Sequence, residues 1–441
     1  MNTMNSNTLP AHLLSVLDRL VDENTGIITQ WMEVSLQQCE YGLFIYAAES
    51  ADVNYAKELQ YGTTKSNILS SGSSFSQEEA IWAVVGEACE RYTAHLYSME
   101  HTLYASQDEL TETAVPLADF VTFSAEQYAC DDFLYHAPNG EQAIHWVAGQ
   151  SLTDGRKVHV PAQLVWLGFP CKTTEEIMFP QVSTGLAAGA DHHHAISGGL
   201  REVIERDAFS CHWLLKHTPK RVKLADVLSV NPQLAKLVER TNLDINLLWM
   251  TTDIDVPCIM CILQPINLSG VAIGMACHLD PFLAAEKAIL EAYNTFNWIL
   301  EMKRRRLSPV QRNDVCDFED HVRYYLKNEN RETMDFLLKG DYLDSQTLSS
   351  YRFEDHNHKT HIAEILRRVN QLDYSAYVVD ITQPDFEQLS IFTVKVLIPG
   401  LQPLHVGIGT ESHDNKRLKI IADKWSIQYP EMLNPEPHPF P

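Results

Sequence analysis

Two short segments carry the side chains best able to do chemistry: Glu87-x-x-Glu90-Arg91 and Glu202-x-x-Glu205-Arg206. Glutamates three residues apart project from one side of a helix, about a turn from each other. Four carboxylates brought together without cations would repel, protonate or splay apart. Magnesium resolves that conflict, because it takes oxygen ligands and binds through a few carboxylates together with substrate phosphates. Arg91 and Arg206 then stand where a guanidinium meets phosphate oxygens. A single such segment is also an ordinary surface ion pair, worth roughly 0.2–0.5 kcal/mol. Two copies with shared surroundings favour a magnesium–nucleotide site.

The elements that must present these groups are marked nearby. Glu79-Ala80-Ile81 precedes the first segment as His194-Ala195-Ile196 precedes the second, every matched position lying 115 residues apart. This predicts an internal pseudo-repeat, two related helices entered from Gly/Ser/Ala-rich loops and framing one site. Gly198 and Gly199 lie one turn before Glu202. Glycine inside a helix costs about 1 kcal/mol relative to alanine, so the pair implies close approach of backbone or ligand beside the carboxylate. Periodicity and turn residues predict helices over 9–20, 77–97, 191–215, 281–305 and 359–372, and a polar helical region over 317–338. Strands are predicted over 41–46, 163–167, 245–249, 258–263, 270–275, 376–381 and 393–398, with a hairpin joining 144–149 to 157–160 through Asp154-Gly155. Residues 63–76 read as a loop and the C-terminus as irregular. The class is α/β (α+β), mixed β-sheets flanked by helices.

The 441 residues are 45% hydrophobic and 21% charged, which suits a globular protein with a full core. A formal charge of −24 argues against a nucleic-acid partner, which demands a basic surface. Nine scattered cysteines match a reducing compartment rather than a disulfide framework. The polar start lacks the features of a signal peptide, and no apolar run is long enough to span a membrane. A cytoplasmic protein is expected.

A wider set of residues resembles the YcaO superfamily. Ser183-Thr-Gly-Leu-Ala-Ala-Gly189, Ala195-Ile196 and Glu202-Val-Ile-Glu205-Arg206-Asp207-Ala208 are similar to its central motif. Gly86-Glu87-Ala-Cys-Glu90-Arg91-Tyr92 resembles its first ATP-site helix, and Lys287-Ala-Ile-Leu-Glu291-Ala292 its third element. Ile398-Pro-Gly-Leu-Gln-Pro-Leu-His405, Arg417-Leu418 and the terminal Pro437-His-Pro-Phe-Pro441 match the subgroup that forms azolines in peptides. The resemblance covers nearly the whole chain and implies a YcaO-type fold, with residues 1–60 packed on a catalytic unit over 61–430 and a Pro-rich tail over 431–441. It implies an ATP- and Mg2+-dependent cyclodehydratase acting on Cys, Ser or Thr of a ribosomally made precursor peptide. Glu87, Glu90, Glu202 and Glu205 would hold metal, and Ser183, Arg91, Arg206, Lys287 and Glu291 the nucleotide. In the family the tail reaches the active site and assists proton transfer, which gives Pro437, Pro439 and Pro441 a catalytic place. Spaced prolines favour an extended polyproline rod, which loses little entropy on threading into a groove. The resemblance further implies a separate leader-peptide-binding partner related to ubiquitin-activating enzymes, a homodimer, and possible service from a flavin-dependent azoline dehydrogenase.

The sequence departs from the family pattern at Ala83, Ala190, His194 and Lys287, where Ser, Asn, Glu and Arg are usual, and Gly72-Ser73-Ser74 replaces a Gly-Lys-Gly. Magnesium strongly prefers oxygen, so His194 is a poor substitute for Glu; Asp191 or Glu79 is the nearest replacement. These changes keep open a non-catalytic subunit of a peptide-modifying complex, and a YcaO enzyme forming thioamides or amidines is a further alternative. Cys258-x-x-Cys261 lies in an apolar strand without a second pair and reads as core. His192-His193-His194 point in different directions at a helix start. No P-loop or dinucleotide fingerprint occurs.

Overall fold

The computed structural model describes residues 9–34, 42–53, 69–110, 113–241, 243–266, 268–413 and 416–440. Its strands form three antiparallel sheets. The first runs β1 (Ile28–Glu33), β2 (Phe44–Ser50), β3 (Leu69–Ser74). The second has the order β4-β5-β12-β13-β7, from β4 (Thr102–Ala105), β5 (Ile144–Ser151), β7 (Leu186–Gly189), β12 (Tyr377–Asp380) and β13 (Phe392–Leu397), with β6 (Lys157–Pro161) also paired to β5. The third runs β11-β10-β9-β8, from β8 (Lys220–Val222), β9 (Leu243–Trp249), β10 (Cys258–Pro265) and β11 (Ala272–Cys277). Several sheets with covering helices agree with the predicted α/β (α+β) class, although each sheet is antiparallel rather than mixed.

Six helices organise the site: α1 (Ala11–Leu20), α2 (Gln77–Thr93), α3 (His192–Leu214), α4 (Pro281–Arg304), α5 (His358–Asn370) and α6 (Lys416–Lys424). Ser76 caps α2, Asp191 caps α3 and Asp280 caps α4, each accepting a backbone N–H of the first turn. Helix α3 is buried on nearly every side, 15 of its 23 residues being enclosed. Leu200, Ile204, Ala208 and Cys211 share one core with Met260, Ile273 and Met275 of the third sheet and Val394 and Val396 of the second. A helix apolar all round belongs between two layers, and that is its place. Helix α4 covers the third sheet through Ala285, Ala288, Ile289 and Ala292, and α1 and α2 pack on the first sheet through Leu13, Leu17, Val84 and Ala88.

Several expectations are corrected. Of the predicted loop over 63–76, residues 63–68 lie outside the described residues, and 69–74 form β3 rather than loop. Serine and glycine carry no strand signal, yet they are required here: a Cβ on Gly72 would lie 2.4 Å from the backbone nitrogen of Val84. The Gly/Ala run after Ser183 likewise contains β7. The strand expected over 163–167 is a tight 3-10 turn, Ala162–Leu164, begun by Pro161. The region 317–338 divides into the helix Phe318–Tyr324 and the 3-10 segment Asn328–Leu338. The irregular C-terminus contains α6, and β1 carried no recognisable signal. The start of the strand over 41–46 lies outside the described residues at Tyr41. Gly199 brings α3 against protein rather than ligand: a Cβ there would come within 2.7 Å of Val396 and 2.8 Å of the Gly185 carbonyl.

Candidate active site

The carboxylates are built by three similar units, each a strand followed by a helix that leans back on it. In the first, the Ser71 N–H of β3 donates to Glu87 of α2 at 2.8 Å. In the second, the Gly185 N–H just before β7 donates to Glu202 of α3 at 3.3 Å. In the third, the Met275 N–H of β11 donates to Glu291 of α4 at 3.1 Å. Small residues make each contact possible, for a Cβ on Gly274 would lie 2.3 Å from the backbone nitrogen of Ala292. Glu205 joins the units, accepting from the Cys277 N–H at 3.1 Å.

These groups act on one another electrostatically, which places them close together. Glu90 is pushed well above the ordinary carboxylate range by burial, then by Glu202 and Glu87, while Arg91 and Lys395 oppose the shift. Glu205 is raised by burial and by Glu291 and Glu202, against Arg206. Glu291 keeps an exposed edge, yet burial of its carboxyl raises it to about 7, with Arg206 and the Met275 N–H opposing and Glu87 and Glu202 adding to the rise. Arg91 grips Glu87 through Nε at 3.0 Å and Nη2 at 2.5 Å. Arg206 is held more loosely. It lies 3.4 Å from Glu202, and its buried Nε is 3.9 Å from Glu205 with no hydrogen-bond partner.

Five carboxylates thus face Arg91, Arg206 and Lys395, with Lys287 at the rim. That deficit of positive charge, on an oxygen-only donor set, fits Mg2+. Glu87, Glu202, Glu205 and Glu291 are each tied to a strand or loop amide, so they line the cleft rather than close into one chelate. Among the described residues the one group of three donor atoms within 4.8 Å of one another is Cys316, Asp317 and Asp320, on the turn opening the Phe318–Tyr324 helix. Ser183 contributes its carbonyl to the Leu186 N–H in the loop before β7. His194 stacks on His358, with ring centroids 4.4 Å apart. The two proposed replacements are otherwise engaged, since Asp191 caps α3 and Glu79 accepts from Ser74 at 2.6 Å.

The C-terminal segment threads into the same region. Pro437, His438, Pro439 and Phe440 are buried; Pro441 lies outside the described residues. Tyr325 donates to the Pro437 carbonyl at 2.6 Å, and His321 bonds the His438 carbonyl at 2.8 Å while stacking on the His438 ring at 3.7 Å. Phe440 packs against Phe209, and the Arg206 guanidinium sits 4.0 Å over its ring. Arg206 therefore touches both the tail and the carboxylates. At the next residue of α3, Asp207 holds buried Arg417 at 2.7 Å while Asp253 holds it at 2.6 Å, which fastens α6 to α3.

Sequence reasoning missed Lys395. Its buried amine donates to the Val182 carbonyl at 2.7 Å, and burial lowers its pKa to about 8 while Glu202 and Glu90 hold the charge. A lone lysine inside the apolar run Thr393–Ile398 was the available signal.

The chain and its fold are similar to those of known proteins. A family profile described as YcaO cyclodehydratase, ATP- and Mg2+-binding, matches residues 71–402. An uncharacterised protein in the tfuA 3′ region of Rhizobium leguminosarum bv. trifolii is 34% identical over 167 residues, 35% of this chain and 39% of that protein. A heterocyclase solved in complex with substrate and cofactor superposes with a TM-score of 0.77 at 21% identity, covering 97% of this chain and 57% of that one. YcaO from Methanopyrus kandleri, bound with AMPPCP and Mg2+, gives a TM-score of 0.62 at 17% identity over 88% of this chain and 90% of that one. The chain therefore spans 39% of the first of these relatives and 57% of the heterocyclase. No helix among the described residues is long and apolar enough to cross a membrane.

Proposed function

The chain belongs to the YcaO family, and from that premise we propose that it is an ATP- and Mg2+-dependent cyclodehydratase converting Cys, Ser or Thr of a precursor peptide to azolines. The observation that carries this reading is the cleft in which three strand–helix units direct Glu87, Glu202 and Glu291 toward Glu90 and Glu205, with too few cations to balance them. In the proposed reaction the side-chain thiol or hydroxyl attacks the preceding carbonyl carbon. The resulting oxygen takes the terminal phosphoryl group of ATP, and phosphate departs as the C=N bond of the ring forms. Mg2+, when bound, offsets the charge of the transferring phosphoryl group. Its oxygen ligands would be drawn from Glu87, Glu90, Glu202, Glu205 and Glu291. Arg206, loosely held, is placed to meet a phosphate oxygen. The strand amides and Arg91 hold the carboxylates in position before any ligand arrives.

The buried tail supports the azoline-forming reading over thioamide or amidine formation, because a Pro-rich segment lies beside Arg206. Pro437, Pro439 and Pro441 are proposed to shape the peptide side of the site and help move the protons released in ring closure. A separate leader-binding partner and a homodimer belong to the same proposal. His194 favours the second reading, a non-catalytic subunit, since it replaces an oxygen ligand. Calorimetry separates them: the enzyme binds ATP in the presence of Mg2+ and loses that binding in Glu202→Gln, whereas absence of nucleotide binding by the wild type supports the subunit.

A further inference from the structure

We propose that Cys258 and Cys277 are an oxidative modification site, a reversible disulfide that loosens the backbone hold on Glu205. The Cys258-x-x-Cys261 spacing hides the partner that matters. Residues three apart on a strand face opposite sides: Cys261 joins the core under α4, and Cys258 the core around α3. Cys277 shares the α3 core and is the residue directly opposite Cys258 in the β10–β11 register.

The pair is of the kind that admits a disulfide. Both backbone groups of Cys258 turn toward β9 and the residues after it, the N–H donating to Thr251 Oγ1 at 3.1 Å and the carbonyl accepting the Met250 N–H at 2.8 Å. The Cys277 N–H turns the other way, to Glu205. The ladder bond beside the pair runs from the His278 N–H to the Pro257 carbonyl at 3.0 Å. Cys258 and Cys277 are therefore a non-hydrogen-bonded pair, the closer antiparallel type, with Cα atoms about 4.5 Å apart. Disulfides span about 4.4–6.8 Å between Cα atoms, so the bond needs only a small approach of the Cβ atoms, from about 4.5 Å to about 3.8 Å. Burial holds the Cys258 thiol well above its ordinary range, and the Cys277 thiol is the next influence on it. Both thiols are free in the structure.

Strand β11 is an edge of its sheet, so it is the strand free to shift. Because the Cys277 N–H faces away from β10, drawing β11 toward β10 lengthens the bond to Glu205. Cys277 keeps 3% of its surface exposed and Cys258 0%, so an oxidant meets Cys277 first. With hydrogen peroxide, the Cys277 sulfur attacks one oxygen, the O–O bond breaks, and a sulfenic acid and water form. The Cys258 sulfur then attacks the Cys277 sulfur, and its proton leaves with the sulfenic oxygen as a second water. The two thiols lose two electrons in all, and the peroxide gains them. Where thiols are kept reduced, such a pair works as a transient sensor rather than a permanent staple.

The link stands independently of the proposed function; its effect on nucleotide binding rests on that reading. The test exposes the whole chain to hydrogen peroxide and maps its peptides by mass spectrometry. Wild type should yield linked Cys258 and Cys277 peptides lighter by two hydrogens and separable by dithiothreitol, and exchange of the Cys277 amide hydrogen should quicken. Mg2+–ATP affinity should fall about tenfold on oxidation, the scale of one hydrogen bond to a charged group, and return on reduction. Cys258→Ala should bind Mg2+–ATP as wild type does and keep that affinity through peroxide, which separates this pair from oxidation at exposed Cys130 and Cys316. Cys211→Ala, a change in the same core, should still form the link and guards against a general packing defect. Absence of the link from both wild type and Cys211→Ala would overturn the inference. So would a link that leaves amide exchange and affinity unchanged, or equal loss of affinity in oxidised wild type and Cys258→Ala. Absence of Mg2+–ATP binding by the reduced wild type would sink the functional reading alone, because the link and the amide exchange are read without nucleotide.

Discussion

Replacing Glu205 with glutamine should make the ligand-free protein more stable and the nucleotide-bound protein less so. Glu205 is 8% exposed and sits between Glu202 and Glu291, with Arg206 Nε 3.9 Å away and no tighter cation. Its carboxyl is raised above its unfolded value, so the native state keeps a proton that the unfolded chain has released. Stability from this group is complete below the ordinary Glu pKa and is lost as pH rises through the elevated one. At pH 8 the buried anion is a net cost. Glutamine keeps an oxygen for the Cys277 N–H and removes the charge, so Glu205→Gln should gain roughly 1–3 kcal/mol without ligand, the scale on which unbalanced buried charges destabilise. It should also flatten the fall in stability between pH 5 and 8. With ATP and Mg2+ the order should reverse, because the wild type gains linkage stabilisation from binding and the variant lacks a carboxylate proposed to hold the metal. Urea unfolding at pH 5 and pH 8, with and without Mg2+–ATP, measures all four terms. A variant less stable than wild type when ligand-free at pH 8, or one stabilised equally by Mg2+–ATP, would refute the reasoning.

Other residues give equally direct outcomes. Arg417→Met leaves Asp207 and Asp253 buried without their shared partner and should cost about 3–5 kcal/mol, read as a lower urea midpoint. Lys395→Met removes the cation that Glu90 and Glu202 feel and frees the Val182 carbonyl; it should weaken Mg2+–ATP binding at least about tenfold by calorimetry, the effect of losing one charge-assisted contact. His321→Ala removes the donor to the His438 carbonyl and the ring stacked on it. It should expose the tail to limited proteolysis and lower turnover while changing nucleotide affinity less than about twofold, since each hydrogen bond is worth about 1 kcal/mol and neither contact reaches the carboxylates.

Much of the site was legible because helices announce themselves. The two Glu-x-x-Glu-Arg segments lie on α2 and α3 in the expected register, and long apolar runs located β9, β10 and α4. What remained hidden followed a different logic. After an opening leucine, strands β3 and β7 are Ser, Gly and Ala, small enough for a helix to lie against them; close packing removes the branched side chains that would have marked a strand. Glu291 lacks the Glu-x-x-Glu-Arg signature, so only the family resemblance pointed to it; its strand partner, the Met275 amide, comes from the fold. Lys395 is a charge in an apolar run, and its partners Glu90 and Glu202 come from two other helices far away in sequence. Cys258 meets Cys277 across β10 and β11, a juxtaposition only tertiary structure creates.

The central claim is that this cleft uses ATP to remove the oxygen of a peptide bond. The chain, with its leader-binding partner, a Cys/Ser/Thr-containing precursor peptide, Mg2+ and ATP, should yield peptide lighter by the mass of one water per ring and one phosphate for each water lost. Both products should vanish with Glu202→Gln. Peptide of unchanged mass, or a mass change other than loss of water, would contradict it.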